Sequence, residues 1–385
     1  MDTRKLYYED CHLYRFTATV RGCEEVKNGY AVTLDATAFY PEGGGQACDL
    51  GTLGSAKVLD VQEQGEEVIH LCDTPLTVGE TVEGIIDAER RFDLMQQHTG
   101  EHIVSGIVCA RYGYHNVGFH VGADVITIDF DGPIPADALP EIEAAANRAV
   151  WANKPIRCWY PSPEELPSVS YRTKRALTWP VRIVAVPGVD KCACCGVHVA
   201  YTGEVGLVKL FSCVKFHQGV RIEMACGGRA LALLNAAFDQ NRQVSQAFSA
   251  KWMETGAAAR KMNERLATAE YRCAALERRI WDAIAANYER QGNVLHFEPD
   301  LTSLAVRELA DRIAEKCAGT AAVFSGTDGN YNVCLVNKNG DVKELGNALK
   351  TALNARGGGK PGIFQGTAPA TREQIENFFS DITQP

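Results

Sequence analysis

Short alternations of apolar and polar residues dominate the start of the chain. Residues 14–20 and 30–34 alternate, and residues 58–61 and 67–71 continue the pattern, with Gly and Asn at the breaks. Several short strands at this spacing predict a small β-barrel over residues 1–88. The period then changes. Leu94, His98, Ile103 and Val108 alternate with charged residues in a period nearer 3.6 than 2, which predicts a helix over residues 87–112. Gly100 weakens that helix locally, a cost that ligation of a metal by its neighbours could offset. Further on, residues 121–130 read as one strand, 135–151 as a helix, and 155–160, 181–186, 205–211 and 220–224 as strands. Together they predict an α+β unit over residues 89–228.

Residues 229–290 are rich in Ala, Glu and Arg and read as helical throughout. Met262, Leu266, Ala269, Cys273, Leu276, Ile280 and Ala283 follow one another at alternating steps of four and three, the spacing of a coiled-coil seam. Gly256 is the expected break between two helices of a hairpin. Arg260, Lys261, Arg265, Arg272, Arg278 and Arg279 make a basic row that is either a solvated face or a contact with an RNA backbone. Residues 291–385 alternate helix and strand and predict a small α/β domain. In it Arg356-Gly357-Gly358-Gly359-Lys360 is expected as a loop able to cradle phosphate. Walker spacing is absent, so nucleotide hydrolysis is not expected. The fold class expected for the whole chain is α+β.

Composition narrows the class. The chain has 385 residues, 46% hydrophobic and 23% charged, as a globular protein of several domains has. No apolar run approaches the roughly 18 residues of a membrane span. Residues 1–5 are not followed by the apolar core of an export signal. The 14 Cys are scattered, which suits reduced thiols in the cytoplasm. A net charge of −9 argues against binding nucleic acid through the bulk field.

The candidate chemistry lies in two remote segments. His98 and His102 are four apart, which on a helix places both rings on one face. Cys194 and His198 repeat the spacing, and Cys192 and Cys195 stand beside them. Three imidazoles and a thiolate form a donor set suited to Zn2+, and the two pairs are expected to meet at one ion. In the barrel, Thr37 is followed by Gly43-Gly44-Gly45-Gln46. Three glycines allow either a tight turn or a close approach to a bound group, with Thr37 or Gln46 facing it. His98-Thr99-Gly100-Glu101-His102 also fits the inverted zinc-peptidase pattern. A non-catalytic zinc module that binds tRNA or protein is a third reading.

Taken in order, the stretch from Thr37 to Gln46, the pair His98/His102, the stretch from Cys194 to Glu204, the residues 219–223 and the glycines near Gly357 resemble one family. They are similar to the editing and C-terminal domains of alanyl-tRNA synthetases and to the free-standing alanyl-tRNA editing proteins of the AlaX family. The barrel begins close to Met1, so the expectation is the long free-standing form, with an editing core, a helical hairpin over 229–290 and a C-terminal domain. The resemblance implies a deacylase that hydrolyses tRNA(Ala) mischarged with serine or glycine, acting in trans. It implies that Thr37 meets the serine hydroxyl, that Gln46 and the amides of Gly43, Gly44 and Gly45 hold the water or the oxyanion, and that Arg356 and Lys360 touch tRNA. Glu101 is a candidate general base. A zinc ion held by four protein ligands would position the terminal adenosine or give up one ligand. Val197 departs from the family, which usually has Thr there. A homodimer through the helical or C-terminal region is a further expectation.

Overall fold

The computed structural model describes residues 2–173, 177 and 180–382. They form seven α-helices and several sheets in two compact units, Met1–Gln243 and Val244–Pro385.

In the first unit six strands close into a barrel, in the order Arg15–Val26, Gly29–Leu34, Glu67–Cys72, Ala56–Gln64, Gly51–Leu53, Thr81–Ile86. Alternate residues point inward: Phe16, Ala18 and Val20 from the first strand meet Val32, Leu34, Val58 and Val68 in one apolar core. Helix α1, Ala88–Tyr112, follows directly. Asp87 caps it by accepting from the Arg90 amide, and Gly113 closes it in the left-handed region at φ 74°. Most of α1 is buried, polar residues included. It is therefore a central helix of the unit and not an amphipathic surface one.

Two glycines explain how α1 fits. A Cβ on Gly100 would stand 2.1 Å from the Cys226 Sγ, and one on Gly106 would stand 2.5 Å from the Val189 carbonyl oxygen. Gly100 thus serves close packing, at a helix-propensity cost of about 1 kcal/mol. Cys226 ends a strand of an antiparallel four-stranded sheet, ordered Val208–Phe216, Gly219–Cys226, Ile126–Phe130, Asn116–Val121. Val189 precedes the last strand of a three-stranded sheet, Arg157–Trp159, Ile183–Val186, Asp190–Ala193. The single strand expected at 121–130 is instead two. Asn116–Val121 and Ile126–Phe130 pair as a hairpin closed by the Gly122 amide on the Val125 carbonyl. Helix α2, Leu139–Trp151, buries Ile142, Ala146 and Val150, the spacing of a half-buried helix. Helix α3, Gly227–Ala247, closes the unit.

A buried ion pair ties the barrel to α1. Arg91 and Asp49 are both fully buried, and the guanidinium also donates to the carbonyls of Cys11 and Ala38. Asp49 in turn accepts from the Tyr40 amide. This clip holds both ends of the segment that carries Gly43–Gln46 against the helix that carries His98.

The second unit contains helix α4, Thr255–Ala286, then α5, Ser303–Cys317, α6, Lys343–Ala352, and α7, Arg372–Ile382. Gly256 lies in the first turn of α4, and the helical run breaks earlier, after Ala247. Trp281 and Ala285 of α4 are buried, whereas Met262, Leu266, Leu276 and Ile280 of the heptad seam are exposed. A five-stranded sheet is ordered Gly292–Phe297, Ala318–Thr327, Asn330–Asn337, Ile363–Ala368, Arg356–Lys360. Alternation divides its faces. Val323, Cys334 and Val336 pack with Val306, Leu309 and Ile313 of α5, while Phe324, Val333 and Leu335 pack with Leu349 of α6 and Ile375 of α7. Residues 356–360, expected as a phosphate-cradling loop, are an antiparallel edge strand paired with Ile363–Ala368. Glycine permits this because Gly357 and Gly359 face the neighbouring backbone too closely for a Cβ. Arg356 and Lys360 stand exposed at its ends. No described helix is long and apolar enough to cross a membrane.

Candidate metal centre

The two remote pairs converge. The ring nitrogens of His98, His102 and His198 and the Cys194 sulfur all lie within 4.8 Å of one another. The Cys194 Sγ is 3.4 Å from the His98 Nε2, close to the edge of about 3.5 Å that a tetrahedron of zinc–nitrogen and zinc–sulfur bonds requires. The rings of His98 and His102 are each 4.6 Å from that of His198, centre to centre.

Each imidazole is held from behind through Nδ1. His98 meets the Gln46 Oε1 at 2.8 Å, His102 meets the Asp190 Oδ2 at 3.0 Å, and His198 meets the Thr99 hydroxyl at 3.1 Å. An amide oxygen and a carboxylate only accept, so His98 and His102 carry their protons on Nδ1. Their Nε2 lone pairs then face the centre, the tautomer a metal ligand needs. The His198 Nε2 is buried and has no hydrogen-bond partner among the described residues. An unpartnered ring nitrogen in a set of three imidazoles and a sulfur fits a bound metal ion.

The electrostatics agree. Burial pushes the Cys194 thiol up, but the surrounding imidazoles outweigh it and hold the thiol well below its ordinary value. Burial drives His198 down to about 3. A thiolate and a neutral imidazole are the forms that bind metals. Burial raises the Asp190 carboxyl, yet its bonds from His102 and Arg172 win and bring it to about 2. Arg172 grips both Asp190 oxygens, at 2.6 and 2.8 Å. The chain Arg172–Asp190–His102 thus fixes one ring through a permanently ionised carboxylate.

The other residues singled out in the sequence fall in different places. Gln46 stands beside the cluster, and its Nε2 is buried without a partner among the described residues. Gly44 and Gly45 form a tight turn at φ 60° and 85°, closed by reciprocal bonds between Gly43 and Gln46. A Cβ on Gly44 would stand 3.3 Å from the Cys195 Sγ. One on Gly196 would stand 2.1 Å from the His98 ring, so residue 196 must be glycine if His98 is to keep its place. Glu101 is buried. One of its oxygens accepts from Ser105 and Asn116, and the other is 3.8 Å from the His102 Nε2. Thr37 is wholly buried in the barrel, where its hydroxyl meets the His70 Nε2 at 2.8 Å and accepts from the Phe39 amide. Arg356 and Lys360 belong to the second unit. Asp190, Arg172, Thr99 and His70 escaped sequence reasoning. For Asp190 a clue existed: an acid four residues before Cys194, in a chain whose metal-bound His would need a carboxylate behind it.

The comparisons place these features. The family described as tRNA synthetases class II (A) matches residues 2–90, the threonyl and alanyl tRNA synthetase second additional domain matches residues 181–223, and the DHHA1 domain matches residues 291–384. The chain is 30% identical to the alanine–tRNA ligase of Thermofilum pendens, over 96% of this chain and 43% of the ligase. It is 25% identical to the alanyl-tRNA editing protein Aarsd1 of Danio rerio, over 95% of this chain and 94% of that protein. The same protein of Rattus norvegicus matches at 25% over 98% and 97%. The chain therefore spans less than half of the matched ligase and nearly all of the editing proteins. Among solved structures, the C-Ala domain from Aquifex aeolicus alanyl-tRNA synthetase covers 23% of this chain and 86% of its own at 19% identity and a TM-score of 0.21, a likeness too slight to argue from. With family matches at residues 2–90, 181–223 and 291–384, the chain is similar along nearly its whole length to alanyl-tRNA editing proteins and to less than half the length of the matched alanine–tRNA ligase.

Proposed function

We propose that this protein is a trans-editing deacylase that hydrolyses the ester of mischarged Ser-tRNA(Ala). The observation that carries the reading is the pairing of a four-donor metal cluster with an unsatisfied amide beside it. The Gln46 side chain bonds His98 through its oxygen and leaves its NH2 group without a partner. That group is a hydrogen-bond donor held ready for a carbonyl oxygen as negative charge develops on it. Water adds its oxygen to the acyl carbon, the bond to the ribose oxygen breaks, and that oxygen leaves with a proton as a free hydroxyl. Gly44 brings backbone close to His98 and Cys195, and Gly45 packs against Phe119. Zinc held by His98, His102, Cys194 and His198 would supply a fixed positive charge at the centre. Glu101 is tied to Ser105 and Asn116, which suits bracing α1 better than moving a proton.

The Thr37 hydroxyl has a defined direction. His70 is buried and neutral at ordinary pH, its Nδ1 faces the Val32 carbonyl, and so its Nε2 accepts from Thr37. With one lone pair taken by the Phe39 amide, Thr37 has one left, suited to accept a proton from a substrate hydroxyl. Serine has that hydroxyl and alanine lacks it. Arg356 and Lys360, exposed on the second unit, are proposed to touch the tRNA backbone.

Deacylation of Ser-, Gly- and Ala-tRNA(Ala) by a chelated and a zinc-restored sample tests the activity. Hydrolysis of the serine ester that is lost and regained with zinc is expected, and no hydrolysis in either sample refutes it. Thr37→Val should lower serine release more than alanine release, and an unchanged ratio removes Thr37 from recognition. The peptidase alternative loses ground because the donors that join His98 and His102 are a thiol and a third imidazole, with no carboxylate among the four.

A further inference from the structure

A group of aromatic rings is built onto the turn at residues 194–196, on the flank of the metal cluster. The Arg182 Nη1 donates to the carbonyls of Cys194 and Gly196, at 3.0 and 2.8 Å. Its guanidinium carbon lies 4.4 Å from the centre of the Tyr8 ring. The Tyr8 hydroxyl donates to the Cys195 carbonyl at 2.7 Å. Tyr7 meets Tyr8 edge to face at 4.6 Å and Tyr40 at 5.4 Å, and the Tyr40 hydroxyl donates to the Gly43 carbonyl at 3.0 Å. The rings therefore touch both the metal-bearing turn and the glycine loop that carries Gln46. The outer member is Tyr160, 6.4 Å from Tyr8 and 51% exposed.

We propose that the exposed ring of Tyr160, set edge to face against Tyr8, stacks the nucleobase at the 3′ end of the charged tRNA. The idea rests on the deacylase reading, because the ribose that bears the ester also bears that base. A surface for the base must then be continuous with the hydrolytic centre, and Tyr8, against which Tyr160 packs, is joined to that centre by its own hydroxyl on the Cys195 carbonyl and by Arg182, which bonds Cys194 and Gly196. Single-stranded RNA ends are held by stacking on Tyr and on Arg planes. Arg182 lies over the Tyr8 ring with its charge fixed against two carbonyls, where a cation–π contact keeps the ring oriented. Tyr8 is held by that contact and by its hydroxyl on the Cys195 carbonyl, and Tyr160 is the exposed ring of the group.

The test compares wild type, Tyr160→Ala and Tyr160→Phe. Two readouts are taken: kcat and KM for Ser-tRNA(Ala), and the fluorescence of uncharged tRNA(Ala) with 2-aminopurine at its terminal position. Loss of one stacking contact should raise KM about 5- to 100-fold in Tyr160→Ala, with kcat within about twofold of wild type. Quenching of the terminal 2-aminopurine on binding should disappear with it. Tyr160→Phe should match wild type in both. Unchanged KM and quenching in Tyr160→Ala overturn the proposal, as does a fall in kcat at constant KM. The fluorescence readout needs no turnover. If wild type quenches but releases no serine, the deacylase reading fails while the stacking surface stands. Thermal unfolding and zinc content of Tyr160→Ala, expected to equal those of wild type, separate loss of stacking from loss of folding.

Discussion

Two buried histidines in the first unit, one in the barrel and one in the metal cluster, start from the same physics and end differently. Burial drives both His70 and His198 below their ordinary range, to about 4 and about 3, so both are neutral at physiological pH. In the barrel His70 is complete, with Nδ1 on the Val32 carbonyl and Nε2 on Thr37. In the cluster His198 is complete on one side only, and its Nε2 faces His98, His102 and Cys194 with no hydrogen bond among the described residues. Burial alone therefore says nothing of function. The separating feature is an unsatisfied nitrogen, because leaving one buried costs about 1–3 kcal/mol unless something else fills the place.

The contrast can be broken most severely at Gly196. A Cβ there meets the His98 ring at 2.1 Å, so Gly196→Ala should displace a ligand and lower zinc affinity by at least about 100-fold. Competition with a metal chelator measures this, and wild-type affinity in the variant would show that His98 is not a ligand. Neither cluster of metal-ligating side chains among the described residues lies in the barrel, and its stability should follow protons. His70 has a folded value of about 4 against 6.5. The unfolded chain thus binds more protons between those limits, and stability falls as pH drops through that window, by at most about 3 kcal/mol. Urea unfolding at pH 7 and pH 5 should show this loss in wild type and a smaller one in His70→Gln. Equal losses in the two proteins would remove His70 as the cause.

A smaller effect sharpens the cluster side. Asp190→Asn keeps the shape behind His102 but removes the charge, and zinc affinity should fall about 10- to 100-fold. An unaltered affinity would mean that the Arg172–Asp190–His102 chain does not tune the site. The smallest effect concerns helix α1 itself. Gly100→Ala gains about 1 kcal/mol of helix propensity. It also drives a methyl group into the Cys226 sulfur at 2.1 Å, a clash of about 1–3 kcal/mol. The clash should win, leaving a net loss of about 1 kcal/mol in chemical denaturation, and a stabilised variant would show that the helix can move away at no cost.

Much of this was legible in the chain. Helix α1 runs from Ala88 to Tyr112, as the helical period over residues 87–112 indicated. The four donors were legible too, because a repeated four-residue spacing of His and Cys is a local pattern. Other features were not local. The hairpin within residues 116–130 hides in an alternation that continues across its turn. The strand at Arg356–Lys360 exists only because Ile363–Ala368 pairs with it, since pairing at all five of its positions, not its own propensity, makes it extended. The sequence by itself determined which side chains could bind a metal and where helix α1 would run. Tertiary structure alone decided that Asp190, Thr99 and Gln46 would each stand behind one imidazole and that Thr37 would be turned toward His70. Those choices depend on contacts between residues far apart in the chain, and the period of a segment holds no information about what lies across from it.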